Sequence, residues 1–280
     1  YHAEGPCAML WIPRLFKKHT IATIHGLDWQ RGKWGGFASW YIKTGEKIAA
    51  KYADEIIVLS ERLQRYFQET YNRKTVFIPN GVMRPTLTGR TDQLHKLDLE
   101  SRKYILFLAR IVPEKGLHYL LEAYKQIDNQ MKLVIAGSGS HTDSYLESMK
   151  EAACDDDHIV MTGFVSGDAL EQLYANAYLY VLPSEVEGMA LSLLEAMSYG
   201  NCCLVSDIPE NMEVVGDASM SFRCGDICDL ADKISWALAN PDEVSRYRSI
   251  AAEHVLSRYQ WDEITDRTVA LYRKAVRSRP

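Results

Sequence analysis

The chain has 280 residues, 47% hydrophobic and 25% charged, with a formal net charge of −5. That length suits about two domains, and no apolar run reaches the roughly 18 residues that a bilayer-spanning helix needs. The charge is uneven: residues 1–90 hold 14 Lys and Arg against 7 Asp and Glu (+7), and residues 91–280 hold 18 against 30 (−12). The acidic balance of the longer part argues against a nucleic-acid partner, and the split suggests two bodies with different partners.

The first ninety residues predict a few strand and helix units. A β-branched strand at 20–24 ends in His25-Gly26, and a helical pattern covers 37–53 despite Gly45. A buried strand follows at 55–59. Ser60 then caps a helix to about Tyr71, and a short strand at 76–78 stops at Pro79-Asn80-Gly81. Three strands are few for such a domain and would leave a bare apolar edge. The expectation is an incomplete first domain with an N-terminal part absent.

Residues 84–103 are polar and read as a linker. Beyond them the pattern is regular. Strands are predicted at 104–109, 132–136, 158–162, 178–182, 202–205 and 219–222, with helices at 117–127, 142–153, 168–174, 190–199 and 227–239. Near-continuous apolar strands alternating with helices indicate a parallel, Rossmann-like α/β sheet covered on both faces. Ligands of such sheets sit beyond the carboxyl ends of the strands. Pro241 opens a further helix to about 257, and Trp261 another to about 276. The expected domains are 1–90, 91–258, and a C-terminal helix at 259–280 that packs on the first domain. The six cysteines show neither a disulfide framework nor paired zinc spacing. They read as buried free thiols of a reducing cytoplasm.

The loops after the strands carry the chemistry. Glu187-Gly188-Met189-Ala190-Leu191 leads from a strand into a helix that also carries Glu195. The free N–H groups near Met189, Ala190 and Leu191 make a phosphate site. If both acids were helical, eight steps would separate them by about 12 Å of rise and about 80°. They therefore suit two ends of an extended ligand better than one bond; the bland alternative is a dipole partner and a surface residue. Arg110 and Lys115 leave a strand end together and can neutralise a diphosphate, or else form an Arg110–Glu114 surface pair and a solvated lysine. Gly137-Ser138-Gly139-Ser140 permits close backbone approach. Gly163-Phe164-Val165 can offer a wall to a flat base. His25 can hydrogen-bond or protonate a ligand, or simply be structural. The stretch from Leu27 to Gly36 mixes Trp29 and Trp34 with Arg31 and Lys33, which suits either a sugar- or carrier-binding loop or one pinned by its aromatics.

Taken together, Glu187-x7-Glu195, Arg110 with Lys115, His25-Gly26 and Ile78-Pro79-Asn80-Gly81 resemble family-4 retaining glycosyltransferases of the GT-B fold, especially those building bacterial surface polysaccharides. The resemblance covers nearly the whole chain and is strongest over 104–210. It implies two Rossmann-like domains with parallel sheets. It also implies an enzyme moving a hexose from a nucleotide diphosphate sugar, with retention, to a saccharide or lipid-linked acceptor. By the same resemblance Glu187 contacts the donor sugar, Glu195 the ribose, and Arg110 and Lys115 the diphosphate. The N–H groups after Gly188 assist, the loop at Val165 meets the base, Gly137 lies in the donor site, and His25 lies near the reacting sugar. No metal or other cofactor is implied. Departures are Met189-Ala190 in place of an aromatic and a glycine, and Ala109 in place of a glycine. The family's first strands and glycine-rich acceptor loop have no counterpart, so the chain is expected to bind donor without necessarily transferring it. The rival readings are a non-catalytic sugar-nucleotide-binding fragment and a GT-B-like sugar-nucleotide epimerase. Trp11, Phe16, Lys17 and Lys18 cluster in the basic segment, which suggests peripheral attachment to the inner membrane face.

Overall fold

A computed structural model describes residues 1–30, 35–128, 130–139 and 143–277. Contacts divide the chain into two compact units. The first contains Tyr1–Gly81, Glu187–Met189 and the segment from Tyr259 onward; the second contains Val82–Val186 and Ala190–Arg258.

In the first unit, α1 (Glu4–Cys7) and α2 (Trp11–Leu15) precede β1 (Ile21–Ile24), α3 (Gly36–Tyr52), β2 (Glu55–Val58), α4 (Glu61–Tyr71) and β3 (Val76–Phe77). The strands form a parallel sheet in the order β1-β2-β3. Side chains alternate across a strand, so Ile56 and Val58 face a core with Leu10, Ala49, Leu63 and Phe67. Ile57 faces the other way, onto Ile78 after β3 and onto Ile264 and Leu271 of the returning C-terminal segment. Ser60 caps α4, its hydroxyl accepting from Leu63 N at 3.2 Å. The edge of β1 is not bare: Thr23 N donates to Tyr1 O at 2.8 Å and Ala3 N to Thr23 O at 2.9 Å. Three residues of irregular backbone thus satisfy the groups expected to be open.

The second unit runs α5 (Asp92–Lys96), β4 (Tyr104–Leu108), α6 (Leu117–Tyr124), β5 (Lys132–Ala136), α7 (Asp143–Ala153), β6 (Ile159–Gly163), α8 (Gly167–Asn176), β7 (Leu179–Leu182), α9 (Leu191–Ser198), β8 (Cys202–Ser206), α10 (Pro209–Val215), β9 (Met220–Phe222), α11 (Ile227–Ala239) and α12 (Pro241–Leu256). All six strands are parallel, in the order β6-β5-β4-β7-β8-β9. One face of the sheet, with Ile105, Phe107, Leu133, Val181 and Leu204, packs on Leu117, Leu121 and Ile234 of α6 and α11. The fold of each unit is therefore Rossmann-like α/β. A last helix, α13 (Trp261–Arg277), belongs to the first unit.

Three expectations are corrected. The division falls at Gly81–Val82 rather than near residue 90, and the polar stretch 84–103 is not simply a linker. Leu94 and Leu99 are buried, Gln93 N donates to Gln172 Oε1 at 2.8 Å, and Arg90 pairs with Asp168 at 2.5 Å. Polar composition concealed two leucines that fix this stretch to the second unit. All six cysteines are free, but only Cys7, Cys202 and Cys203 are buried. Cys154, Cys224 and Cys228 lie in or beside exposed turns and helix ends, where no core is available to cover them.

Candidate functional site

In the second unit the connections run outward from β4 on one side and from β7 on the other, so the sheet reverses between these two strands. Their carboxyl ends form the topological switch point, where open α/β sheets bind ligands. The loop after β4 carries Arg110 and Lys115, and the loop after β7 leads to α9.

A pocket of about 450 Å³ opens beside the switch point, at the carboxyl ends of β4, β5 and β6, lined by Leu108, Ala109, Arg110, Gly137, Phe164 and Val165 among others. Three backbone features build it. Ile111 N donates to Ser138 O at 2.9 Å, joining the loops after β4 and β5. The register between β5 and β6 slips at Ile135/Ala136, setting Ala136 opposite Gly163, and Gly137 N then donates to Gly163 O at 2.8 Å. A Cβ on Gly137, whose φ is +151°, would come within 1.9 Å of Ala109 O. The backbones of neighbouring loops can meet only because this residue is glycine. Arg110 and Phe164 are exposed on the pocket and Val165 is half-buried. Arg110, Gly137 and Val165, singled out separately in the sequence, thus share one cavity.

The Lys115 loop is laid against the loop after β7. Glu185 N donates to Glu114 O at 3.0 Å, and Tyr119 OH donates to the Glu185 carboxylate. Gly116 has φ +68°, and a Cβ there would sit 2.0 Å from Pro183 O. Glu114 is buried and Arg110 exposed, so the two do not make the surface pair weighed from sequence; Lys115 is half-buried.

Helix α9 has Ala190 at its N-cap and no side chain capping it. Its first N–H groups are therefore available to an anion. Two tyrosines hold this turn from beneath. Tyr180 OH donates to Ser192 Oγ at 2.9 Å, and Tyr174 OH donates to Glu195 Oε2 at 3.0 Å. Glu195 is half-buried, and burial pushes its carboxyl above the usual range while the Tyr174 hydroxyl opposes that rise. Glu187 precedes the helix, so the both-helical spacing of the two acids does not apply.

Glu187, Gly188 and Met189 count with the first unit, where they meet His25. A Cβ on Gly188 would come within 1.6 Å of His25 O. Asn80 holds Met189 twice, through N to Sδ and Nδ2 to O, each at 3.2 Å. The His25 ring stacks on His2 with 5.4 Å between centroids, and His2 Nδ1 lies 3.2 Å from His25 Nε2. The predicted site residues therefore form two groups: His25, Glu187, Gly188 and Met189 in the first unit, and Arg110, Lys115, Gly137, Val165, Ala190, Leu191 and Glu195 in the second.

Trp29 is fastened rather than open. Its Nε1 donates to Glu46 Oε2 at 2.9 Å, and Lys43 Nζ stands 4.2 Å over its ring. The remaining cations and Trp34 of that stretch, 31–34, lie outside the described residues, as does Ser140. Sequence reasoning also missed the buried anchor beneath the β7 loop. Ser206 Oγ donates to Ser184 O at 2.5 Å, and Asn211 Nδ2 donates to Ser206 Oγ at 3.0 Å. Its only local signal was Pro209 opening a helix, α10, after a strand. Among the described residues no group of three or more His, Cys, Asp or Glu is placed to hold a metal ion. No described helix is long and apolar enough to cross a membrane.

A model of glycosyl transferases group 1 matches residues 90–254, and a model of Glycosyltransferase Family 4 matches residues 1–83. An uncharacterized glycosyltransferase of Methanocaldococcus jannaschii, MJ1607, is 33% identical over 183 residues, spanning 63% of this chain and 46% of that protein. O-antigen chain mannosyltransferase B of Escherichia coli is 29% identical over 187 residues, 64% of this chain and 48% of that one. The chain thus spans about half the length of these curated relatives. Among solved structures, Anabaena Alr3699/HepE in complex with UDP-glucose aligns with a TM-score of 0.85 at 17% identity, covering 95% of this chain and 75% of that one. Two Rossmann-like units of a GT-B-like fold agree with that likeness. By its match over 90–254, the chain belongs to the glycosyl transferases group 1 family.

Proposed function

We propose that the protein moves a hexose from a nucleotide diphosphate sugar to a saccharide or lipid-linked acceptor, with retained anomeric configuration, in polysaccharide synthesis. The observation that carries this reading is the pocket of Arg110, Gly137 and Val165 at the carboxyl ends of β4, β5 and β6 in a group 1 glycosyltransferase domain. The solved relative bound to UDP-glucose and the relative named for O-antigen mannosyl transfer support the same class of donor and product. In this reading the base lies against Val165 and Phe164, and Glu195 accepts from the ribose. Arg110, Lys115 and the first N–H groups of α9 stabilise the leaving diphosphate. Glu187 binds the sugar hydroxyls and His25 stands on the acceptor side. Attack comes from the face the diphosphate leaves, and the departing phosphate takes the acceptor proton.

Calorimetry against UDP, GDP and their glucose and mannose conjugates tests the donor site separately from transfer. One of these nucleotides should bind, and Glu195→Ala should weaken the free nucleotide while Glu187→Ala mainly weakens the sugar-bearing form. Equal losses for both ligands in both variants would overturn the roles.

The same reading places the chain at the inner membrane face. Met9, Trp11, Ile12, Leu15 and Phe16 are all exposed on and around α2, with Arg14, Lys17 and Lys18 among them. Apolar side chains beside cations suit an anionic lipid surface. Salt-sensitive co-sedimentation with anionic but not neutral vesicles is the expected result; equal, negligible binding to both would end the membrane reading.

A further inference from the structure

The interior of the first unit holds two carboxyl groups that the proposed reaction does not use. Glu4 on α1 and Glu46 on α3 are both 0% exposed. Burying two carboxylates side by side is prohibitive unless each is hydrogen-bonded and one is neutral. Their donors are unequally shared. Glu46 accepts from Trp29 Nε1 at 2.9 Å through Oε2, and from the Tyr66 hydroxyl at 2.8 Å and the Tyr71 hydroxyl through Oε1. Among the described residues Glu4 accepts from Asp28 N alone, at 2.9 Å through Oε2, and its buried Oε1 has no donor. Helix α1 packs directly on α3, where a Cβ on Gly45, next to Glu46, would meet Glu4 O at 2.0 Å, and the two carboxyl groups take the neighbouring donors Asp28 N and the Trp29 indole. Three donors suit an ionised Glu46, and an oxygen without a donor suits a protonated Glu4.

We propose that Glu4 and Glu46 hold one proton between them, carried on Glu4 Oε1 and donated to the Glu46 carboxylate, and that this pair pins the Asp28–Gln30 turn beside His25. Proton sharing satisfies the otherwise orphaned oxygen and leaves a single buried negative charge. The pinned groups, Asp28 N and the Trp29 indole, lie three and four residues beyond His25. Glu4 and Glu46 are thus positioning residues for the loop that follows β1. The groups facing the pair are Cys7 from α1, Asp28 from the turn, Lys43 beside Trp29, and Tyr66 and Tyr71 from α4. Burial first, then Glu46 and the charge of Asp28, push the Glu4 carboxyl up to about 10, opposed by the Asp28 N–H that it accepts. In an unfolded chain it would be ionised above its ordinary range near 4.5. Stability linked to this proton is therefore full below that range and is lost as pH rises toward 10. Gly45 was the one local signal: a Cβ there would meet Glu4 O at 2.0 Å.

The proposal does not depend on the transfer reading, and its test uses no sugar. Denaturant unfolding near pH 7 should release one more proton per chain from the native protein than from Glu4→Gln. The variant's amide replaces the shared proton, and its carbonyl still accepts from Asp28 N. The native folded chain should show a protonated-carboxyl infrared band at pH 7 that vanishes on unfolding; this needs no variant, so it decides even if Glu4→Gln fails to fold. Hydrogen exchange at the Trp29 indole, whose acceptor is Glu46, should quicken at least tenfold in Glu46→Gln and stay unchanged in Glu4→Gln. Equal proton release, no infrared band in the native protein, or equal exchange in the two glutamine variants would overturn the assignment.

Discussion

The two units handle charge in opposite ways. In the second, Arg110 stands exposed and Lys115 half-buried in the loop after β4, and Glu195 is half-buried on α9, where water lowers the cost of their charge and a ligand can displace it. In the first, Glu4 and Glu46 are fully enclosed and consume the donors of Trp29, Tyr66 and Tyr71. A charge left near water can serve a ligand. A charge taken from water must be partnered by the protein, and its work is then to fix the protein's own elements. The parallel extends to glycine. Gly137 lets two loops of the second unit meet, and Gly188 lets its loop touch the end of β1 in the first.

The largest effects should come from those glycines. Gly188→Ala places a methyl 1.6 Å from His25 O, and Gly137→Ala places one 1.9 Å from Ala109 O. Backbone must move in each, so each should cost about 3 kcal/mol, the upper part of the overpacking range. Denaturant unfolding followed by fluorescence should show the loss confined to the first unit for Gly188→Ala and to the second for Gly137→Ala. A single transition shifted equally by both would break the comparison between units.

Next in size are losses of buried partners. Tyr71→Phe removes a donor to the buried Glu46 carboxyl group and should destabilise the chain by about 2 kcal/mol, as depriving a buried acceptor of its partner does. By contrast Arg110→Ala should leave the unfolding midpoint unchanged. It should weaken binding of a nucleoside diphosphate by about 1–3 kcal/mol, read by calorimetry. A destabilised Arg110→Ala, or a neutral Tyr71→Phe, would erase the distinction between displayed and enclosed charge.

The smallest effects belong to the caps. Ser60 Oγ accepts from Leu63 N in the first unit, and Asp226 Oδ1 accepts from Asp229 N at 2.9 Å in the second. Ser60→Ala and Asp226→Ala should each cost about 1 kcal/mol by thermal unfolding. Similar losses would show that local terms are alike in both units and that the contrast lies in long-range contacts.

The second unit was the more legible in sequence. Its strands are apolar runs punctuated by glycine and proline, so five β–α repeats and the loops bearing Arg110, Lys115 and Glu187 could be placed within about three residues. Strand β6 runs Ile159–Gly163 where 158–162 was expected, and α6 stops at Tyr124 rather than 127. Such ends depend on hydrogen bonds that composition does not encode. Helices α1 and α2 were missed because four and five residues carry too little periodicity to be seen. Helix α5 was missed for the same reason and was hidden by its polar neighbours.

Sequence alone determined the local chemistry of this protein: which segments alternate as strand and helix, and which loops bear cations, acids and glycine. Those features follow from the chain's own periodicity and turn residues. Only the tertiary structure decided that Gly137 and Val165 share a pocket with Arg110, since a register slip between β5 and β6 aligns their loops. It alone decided that Glu187 stands with His25 while Glu195 stands with Tyr174. It also brought Glu4 to Glu46 across 42 residues, a pairing no local pattern announces, because burial and donor supply are properties of the packed interior.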